Sequence, residues 1–321
     1  MEHSARHVRV ARKRIEAAGI CSYELVDPDG APLPPFGAGS HIDVHLPNGL
    51  VRQYSLCNHP AETSRYLIGV LRDPASRGGS AAMHDLVHEG DLIRIGGPRN
   101  HFPLAASGGH AMLLAGGIGI TPILAMAEHL ASAGAPFEMH YCSRSRDRTA
   151  FHDRLKSSSF ASRVAFHFDD GDAAQKIDLP ALLASPGGER HLYACGPAGF
   201  LEFVLATARA QGWPQESIHF EYFAAPAQDT DGDTAFDVRI ASTGKVYRIA
   251  ADRSVAAALA EQGVVIEVSC EQGVCGTCLT RVLDGEPDHR DQYLTEAERA
   301  RNDQFTPCCS RAKSQLLVLD L

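Results

Sequence analysis

Three cysteines fall within nine residues in "CEQGVCGTC", residues 270–278, at the spacing C-x4-C-x2-C. Thiolates gathered this closely suit a soft metal centre. Further cysteine downstream is confined to "TPCCS", which offers Cys308 or Cys309 as a fourth ligand. With Cys308 the pattern becomes C-x4-C-x2-C-x29-C, a spacing used to hold a [2Fe–2S] cluster. Gly273 and Gly276 would let the backbone approach the sulfides and donate N–H bonds to them. Zinc predicts two separated C-x2-C knuckles, and only one is present. Plain buried thiols are the remaining alternative.

A second chemistry is written in glycine. In "MLLAGGIGITPILAM" an apolar strand runs into a glycine turn, and a helix opens at Thr121-Pro122. Such a turn presents backbone amides to a phosphate. The spacing Gly117-x-Gly119-x-x-Pro122 is not G-x-G-x-x-G, so alone it is compatible with a simple helix start. "YACGPAGFL" repeats the arrangement around Cys195, Gly196 and Pro197. A third turn, "SRGGSAAMHDL", sets Gly78, Gly79 and Ser80 before a helix and reads as an anion site suited to a terminal phosphate.

The elements that must position these residues fall into three segments. Up to about residue 105 short β-type runs alternate with Gly/Pro/Asn turns. They include the hairpin "HIDVHLPNGLVRQYSL" with Asn48-Gly49 at its tip, and "YLIGVLR" and "LIRIGG" flank one helical stretch. This predicts an antiparallel β-barrel over 1–105. Over 106–225 the runs "AMLLA", "FEMHYCS", "RVAFHFD", "HLYACG" and "SIHFEYF" alternate with helical stretches, predicting a parallel α/β sheet. "AAPAQDTDGDTA" has linker composition, placed at 226–235, and 236–321 opens with two β-type runs around Thr243-Gly244 followed by a short helix. A multidomain chain is expected.

A net charge of −9 argues against nucleic acid as a partner. No run approaches the ~18 apolar residues of a membrane span. The opening "MEHSARHVRVARKRIEAAG" has basic residues but no apolar stretch behind them, so no export signal is read there. The nine cysteines are then expected as reduced thiols or ligands in a cytoplasmic protein, which is taken as a monomer. The sixteen histidines are scattered and supply no Rieske or 2-His-1-carboxylate pattern.

The C-terminal segment resembles a plant-type ferredoxin, which implies an α+β β-grasp fold. The resemblance puts Cys270, Cys275 and Cys278 on the cluster loop and Cys308 on the later ligand, leaving Cys309 as a packing residue. "GGIGITP" and "CGP" together resemble the nicotinamide domain of the ferredoxin–NADP reductase superfamily, which places Cys195 near the nicotinamide. "RQYS" has the R-x-Y-S form of that superfamily's flavin site. There Arg52 would meet phosphate, Tyr54 lie along the flavin and Ser55 sit near its reactive N5. Phe223 falls where related reductases have an aromatic beside the flavin.

The order flavin, nicotinamide, ferredoxin, with "HYCSRSRDRTAF", "HFDDG" and "CCSRAKSQLLVLDL", resembles the phthalate dioxygenase reductase and vanillate demethylase reductase family along essentially the whole chain. The resemblance implies FMN, NADH and a separate Rieske non-haem iron oxygenase as partner; the Gly79–Ser80 turn agrees with FMN. Ser55, Cys195 and Phe223 are the implied catalytic residues, with Gly117, Gly119, Thr121 and Pro122 along the dinucleotide. Ser143 and Arg144 are candidates for its adenosine side. Asp169 would accept from the ribose hydroxyl of NADH, whereas Arg144, Arg146 and Arg148 could meet a 2′-phosphate. A stand-alone redox carrier or sensor without an oxygenase is the alternative.

Overall fold

The computed structural model describes residues 5–106, 108–184, 186, 189–223 and 230–321. Two compact units result, the first ending at Phe223 and the second at Leu321. Of the expected linker, residues 226–229 lie outside the described residues.

The first unit opens with β1 (Arg6–Ala17), β2 (Ile20–Val26), β3 (Ser40–His45), β4 (Val51–Ser55) and β5 (Tyr66–Leu71). Helix α1 (Gly79–Leu86), β6 (Leu92–Ile95) and β7 (Arg99–Asn100) follow. The strands form one antiparallel sheet in the order β4-β3-β6-β1-β2-β5, with β7 beside β3. Just past β4, Leu56 bridges to Ile68 in β5, bringing the two ends of that order together. The β3–β4 hairpin turns at Asn48-Gly49 as expected, with Gly49 at φ 83°. Tyr23, Ile42, Val44 and Ile68 are fully buried in its core, each worth about 1.5–3 kcal/mol relative to exposure. β1 is a long strand that the sequence reading missed. Its Val8 and Val10 alternate with exposed His7 and Arg9, a strand signal hidden by the basic composition.

The same unit continues through β8 (His110–Gly116), α2 (Ile120–Ser132), β9 (Phe137–Ser143), α3 (His152–Lys156) and β10 (Val164–Phe168). After α4 (Leu179–Leu182) come β11 (Arg190–Cys195), α5 (Ala198–Ala210) and β12 (Ile218–Glu221). The five strands are all parallel, in the order β10-β9-β8-β11-β12, as the alternating pattern predicted. Alternate residues divide between two cores. Leu113, Met139 and Tyr193 pack with α2, while Met112, Leu114 and Leu192 pack with α5. The chain leaves β8 toward one side and β11 toward the other, so the carboxyl ends of these neighbours make a crevice.

The second unit comprises β13 (Phe236–Ile240), β14 (Val246–Ile249), α6 (Val255–Glu261), β15 (Thr280–Asp284), β16 (Pro287–Asp288), α7 (Glu296–Arg301), β17 (Gln304–Phe305), β18 (Arg311–Ala312) and β19 (Leu316–Leu319). Its five-stranded sheet, β14-β13-β19-β15-β17, is mixed, with β13 parallel to β19 and the other pairs antiparallel. Arg311 anchors this unit. It is buried, donates to the carbonyls of Thr234, Ala250 and Arg253, and lies over the Phe236 ring.

Candidate redox and nucleotide sites

The four expected ligands come together in the second unit. Cys270, Cys275, Cys278 and Cys308 are all buried. The Cys270 sulfur contacts those of Cys275 and Cys308, and Cys308 also meets Cys278. These contacts lower the Cys270 thiol and raise those of Cys275 and Cys308, so the sulfurs behave as one hydrogen-bonded group. The loop folds its amides inward: Gln272 N–H donates to Cys270 Sγ at 3.4 Å and Thr277 N–H to Cys275 Sγ at 3.5 Å.

Gly273 and Gly276 take φ of 72° and 69°, and neither has room for a side chain. A Cβ on Gly276 would run into the Tyr293 ring, and one on Gly273 would meet the Cys309 sulfur and Asp291. Asp291 Oδ2 in turn accepts from the amides of Tyr293 at 3.0 Å and Leu294 at 2.6 Å, fixing the turn that holds Tyr293 there. Among the described residues no group of three or more His, Cys, Asp or Glu has the geometry to hold a single metal ion. The fit to a cluster rests on the donor set: three thiols on a loop whose amides face sulfur, and a fourth, Cys308, brought against them from further along the chain. Cys309 sits at the edge of this arrangement, its sulfur 3.3 Å from Thr306 Oγ1.

In the first unit, Arg52, Tyr54 and Ser55 line β4, with Ser55 buried. Burial pushes the Tyr54 phenol up, so it stays neutral. The Arg52 side chain lies over the start of α1: a Cβ on Gly79 would come 2.6 Å from its Cγ and Nε. A guanidinium against a helix N-terminus is a fitting cradle for a phosphate. Ser80 Oγ accepts from the amide of Asp73 at 3.1 Å, which ties the β5–α1 loop to the same helix start. This region adjoins the parallel sheet, because a Cβ on Gly69 of β5 would lie 2.8 Å from Thr121 Cγ2.

The two glycine turns meet. Ala115 of β8 pairs in register with Cys195 of β11. A Cβ on Gly119 would collide with the Cys195 carbonyl, and one on Gly196 would come 3.0 Å from Gly116 Cα. Gly117 takes φ 53°, Thr121 donates to the Ile118 carbonyl at 3.1 Å, and Pro122 occupies the first turn of α2. Pro197 precedes the first residue of α5.

Toward the other edge, the amide of Asp169 donates to the Ser143 carbonyl at 3.0 Å and that of Asp170 to Arg144 at 3.1 Å, so Ser143, Arg144 and Asp169 share one corner. The Ser143 hydroxyl is turned inward, 2.7 Å from Thr149 Oγ1, whereas Arg144, Arg146 and Arg148 are exposed. Phe223 is exposed and lies two residues beyond the β12 end.

Residues 238–313 match the profile of the 2Fe-2S iron-sulfur cluster binding domain. Along nearly its whole length the chain is 56% identical to the vanillate O-demethylase oxidoreductase of Pseudomonas putida, covering 97% of this chain and 98% of that one. It is 42% identical to the phthalate dioxygenase reductase of Burkholderia cepacia over 98% and 97%. A solved phthalate dioxygenase reductase, described as a modular structure for electron transfer from pyridine nucleotides to [2Fe-2S], superposes with a TM-score of 0.78 at 41% identity, covering 99% and 98%. The chain belongs to this oxygenase-reductase family. It is an oxidoreductase with a [2Fe–2S] domain.

Sequence analysis did not single out one residue of this reductase, Glu221. It ends β12 and stands in register beside Cys195. Its Oε2 is buried without a hydrogen-bond partner, and burial raises the carboxyl to about 8. Burial first, then the Glu221 charge, pushes the Cys195 thiol well above its ordinary range. A neutral thiol and a carboxyl able to hold a proton therefore share the floor of the crevice. The only sequence signal was an acidic residue within the apolar run "SIHFEYF". Tyr293, the lid over Gly276, had no signal at all.

Proposed function

We propose that this reductase takes hydride from NADH onto FMN and delivers single electrons through its [2Fe–2S] cluster to a Rieske non-haem iron oxygenase. The observation that carries the reading is four buried thiols, three of them on an amide-lined loop, in a chain whose other unit builds two abutting glycine turns at the carboxyl ends of neighbouring parallel strands. Bound beside β4, FMN supplies the exchange between two-electron and one-electron chemistry.

The chain's own residues position that exchange. Arg52 and the α1 start, Gly79 and Ser80, hold the flavin phosphate; Tyr54 lines the ring; Ser55 donates near its reactive edge. Gly117, Gly119, Thr121, Pro122, Gly196 and Pro197 hold the pyrophosphate and nicotinamide. Cys195, with Phe223 opposite, sets the ring against the flavin. Glu221 keeps a proton at that floor. Ser143, Arg144 and Asp169 receive the adenosine side, with Asp169 favouring NADH because a carboxylate repels a 2′-phosphate. Cys270, Cys275, Cys278 and Cys308 hold the cluster.

Three functional domains are inferred: a flavin-binding β-barrel over 1–105, a nicotinamide domain over 106–225 and a β-grasp ferredoxin over 236–321. The Leu56–Ile68 bridge supports closure of the barrel. The higher identity to vanillate O-demethylase oxidoreductase than to phthalate dioxygenase reductase supports an aromatic O-demethylase as the oxygenase. No helix among the described residues is long and apolar enough to cross a membrane. The reading is of a cytoplasmic monomer that meets its partner by diffusion.

Anaerobic titration with NADH tests this reading. Flavin and cluster absorption should both bleach, and addition of an oxidised vanillate-type Rieske oxygenase should restore them. Bleaching of the flavin with an unchanged cluster would defeat it.

A further inference from the structure

At the β9–β10 edge of the parallel sheet, three polar side chains lie on the face that carries the α5 core. Their strand neighbours Met139, Tyr141 and Phe166 point to the α2 side. His140 Nδ1 lies 3.0 Å from His167 Nε2, the rings stacked at 5.3 Å, and His167 Nδ1 lies 2.9 Å from the Gln175 carbonyl. A carbonyl can only accept, so His167 Nδ1 carries a proton and His167 Nε2 receives the Nδ1–H of His140. Behind His140, Glu138 Oε2 stands 3.8 Å from Nε2. Glu138 is itself held by Arg190 of β11 at 3.2 Å, with His110 Nδ1 of β8 at 4.0 Å. A proton added to the pair has its seat on His140 Nε2, facing Glu138, where it breaks neither hydrogen bond. Burial and His167 disfavour that proton and Glu138 favours it.

The far end of the chain of bonds is what gives it a use. Gln175 closes the 3-10 turn Ala173–Gln175, the return of the loop that leaves β10 through Asp169, Asp170 and Gly171. The loop's start is pinned by backbone bonds to Ser143 and Arg144, and its return by His167. Both anchors are needed to hold a short turn of small and acidic residues against its conformational entropy. We propose that His140 and His167 are positioning residues for the dinucleotide: they fix the Asp169–Gln175 loop for the adenosine ribose without touching it. This rests on the assignment of Asp169 to the ribose. The energy involved is that of ordinary neutral hydrogen bonds, so affinity and not the chemical step should respond.

Steady-state oxidation of NADH by the flavin- and cluster-loaded protein, with ferricyanide as acceptor, reads this directly. His167→Phe keeps the ring's bulk and loses both bonds; it should raise the NADH KM roughly three- to tenfold, as loss of one or two such bonds does, with kcat unchanged. His167→Gln can still donate to the Gln175 carbonyl and accept from His140, so it should restore the wild-type KM. His140→Phe reads the inner bond independently should His167→Phe fail to fold. A wild-type KM in both Phe variants would overturn the proposal, as would a His167→Gln variant as impaired as His167→Phe. Asp169→Ala separates the two layers. If it raises KM while the Phe variants do not, the histidine tie is wrong and the ribose assignment stands. If it leaves KM unchanged while His167→Phe raises it, the tie holds the loop for a contact other than Asp169, and the ribose assignment falls.

Discussion

Cys195 and Glu221 end neighbouring parallel strands and face the same crevice, paired in register, thiol beside carboxyl. Both are kept neutral by the same burial. The carboxyl therefore keeps its proton to higher pH than an exposed glutamate would.

That placement has a measurable cost. In the unfolded chain the Glu221 carboxyl titrates near its ordinary value, and in the folded protein near 8. Between these values the folded state holds a proton that the unfolded chain has released. Its contribution therefore lowers stability as pH rises through the window and levels off above about 8. Glu221→Gln should flatten this part of the profile and be more stable than the parent at alkaline pH, as read from urea midpoints across the window.

Arg52 and Gly79 are expected to act as one phosphate site. Arg52→Ala should weaken FMN binding by roughly ten- to hundredfold, since a charge-assisted contact is worth about 1.5–3 kcal/mol. Gly79→Ala should also weaken it by displacing the Arg52 side chain. Fluorescence of flavin released on dilution measures both, and chromatography of the heat-released cofactor should give FMN, not FAD.

At the cluster, Cys275→Ser and Cys308→Ser should lose iron and acid-labile sulfide while retaining flavin. Cys309→Ser should keep the cluster. Gly276→Ala should behave like a ligand loss although it removes no ligand, because its Cβ overlaps the Tyr293 ring at a positive φ. Iron, sulfide and flavin content of each purified variant decide the matter.

The division at Phe223 predicts that a chain ending at residue 226 still lets NADH reduce its flavin but no longer serves a Rieske oxygenase. Oxygen uptake with the oxygenase and its substrate, beside stopped-flow flavin bleaching, distinguishes the two losses. Full oxygenase turnover by the truncated chain would make the flavin the direct donor.

Much of this was legible in the sequence because it is local. The cluster spacing, the Asn48-Gly49 hairpin and the strand–helix alternation are each contained in a window of a few to a few tens of residues. What escaped depends on register across long separations. Glu221 matters because β12 pairs with β11, and Tyr293 because a turn fixed by Asp291 lands on Gly276. His140 and His167 read as two of many scattered histidines until the β9–β10 pairing sets them in contact. β1 was overlooked for another reason. Its outward residues are so basic that the inward valines lost their weight in the reading.

Gly119 carries a last implication, for how such a chain can change over evolutionary time. Its φ of −61° is open to any residue, yet the space its side chain would need is filled by the Cys195 carbonyl. Any side chain there would wedge the turn after β8 away from the end of β11. Mutation is thus shut out of the crevice floor and admitted at its rim, where Arg144, Arg146 and Arg148 stand exposed near Asp169. On the assignment proposed above, a lineage that came to draw on a different nicotinamide coenzyme would write that change into the rim, leaving the floor as its ancestors had it.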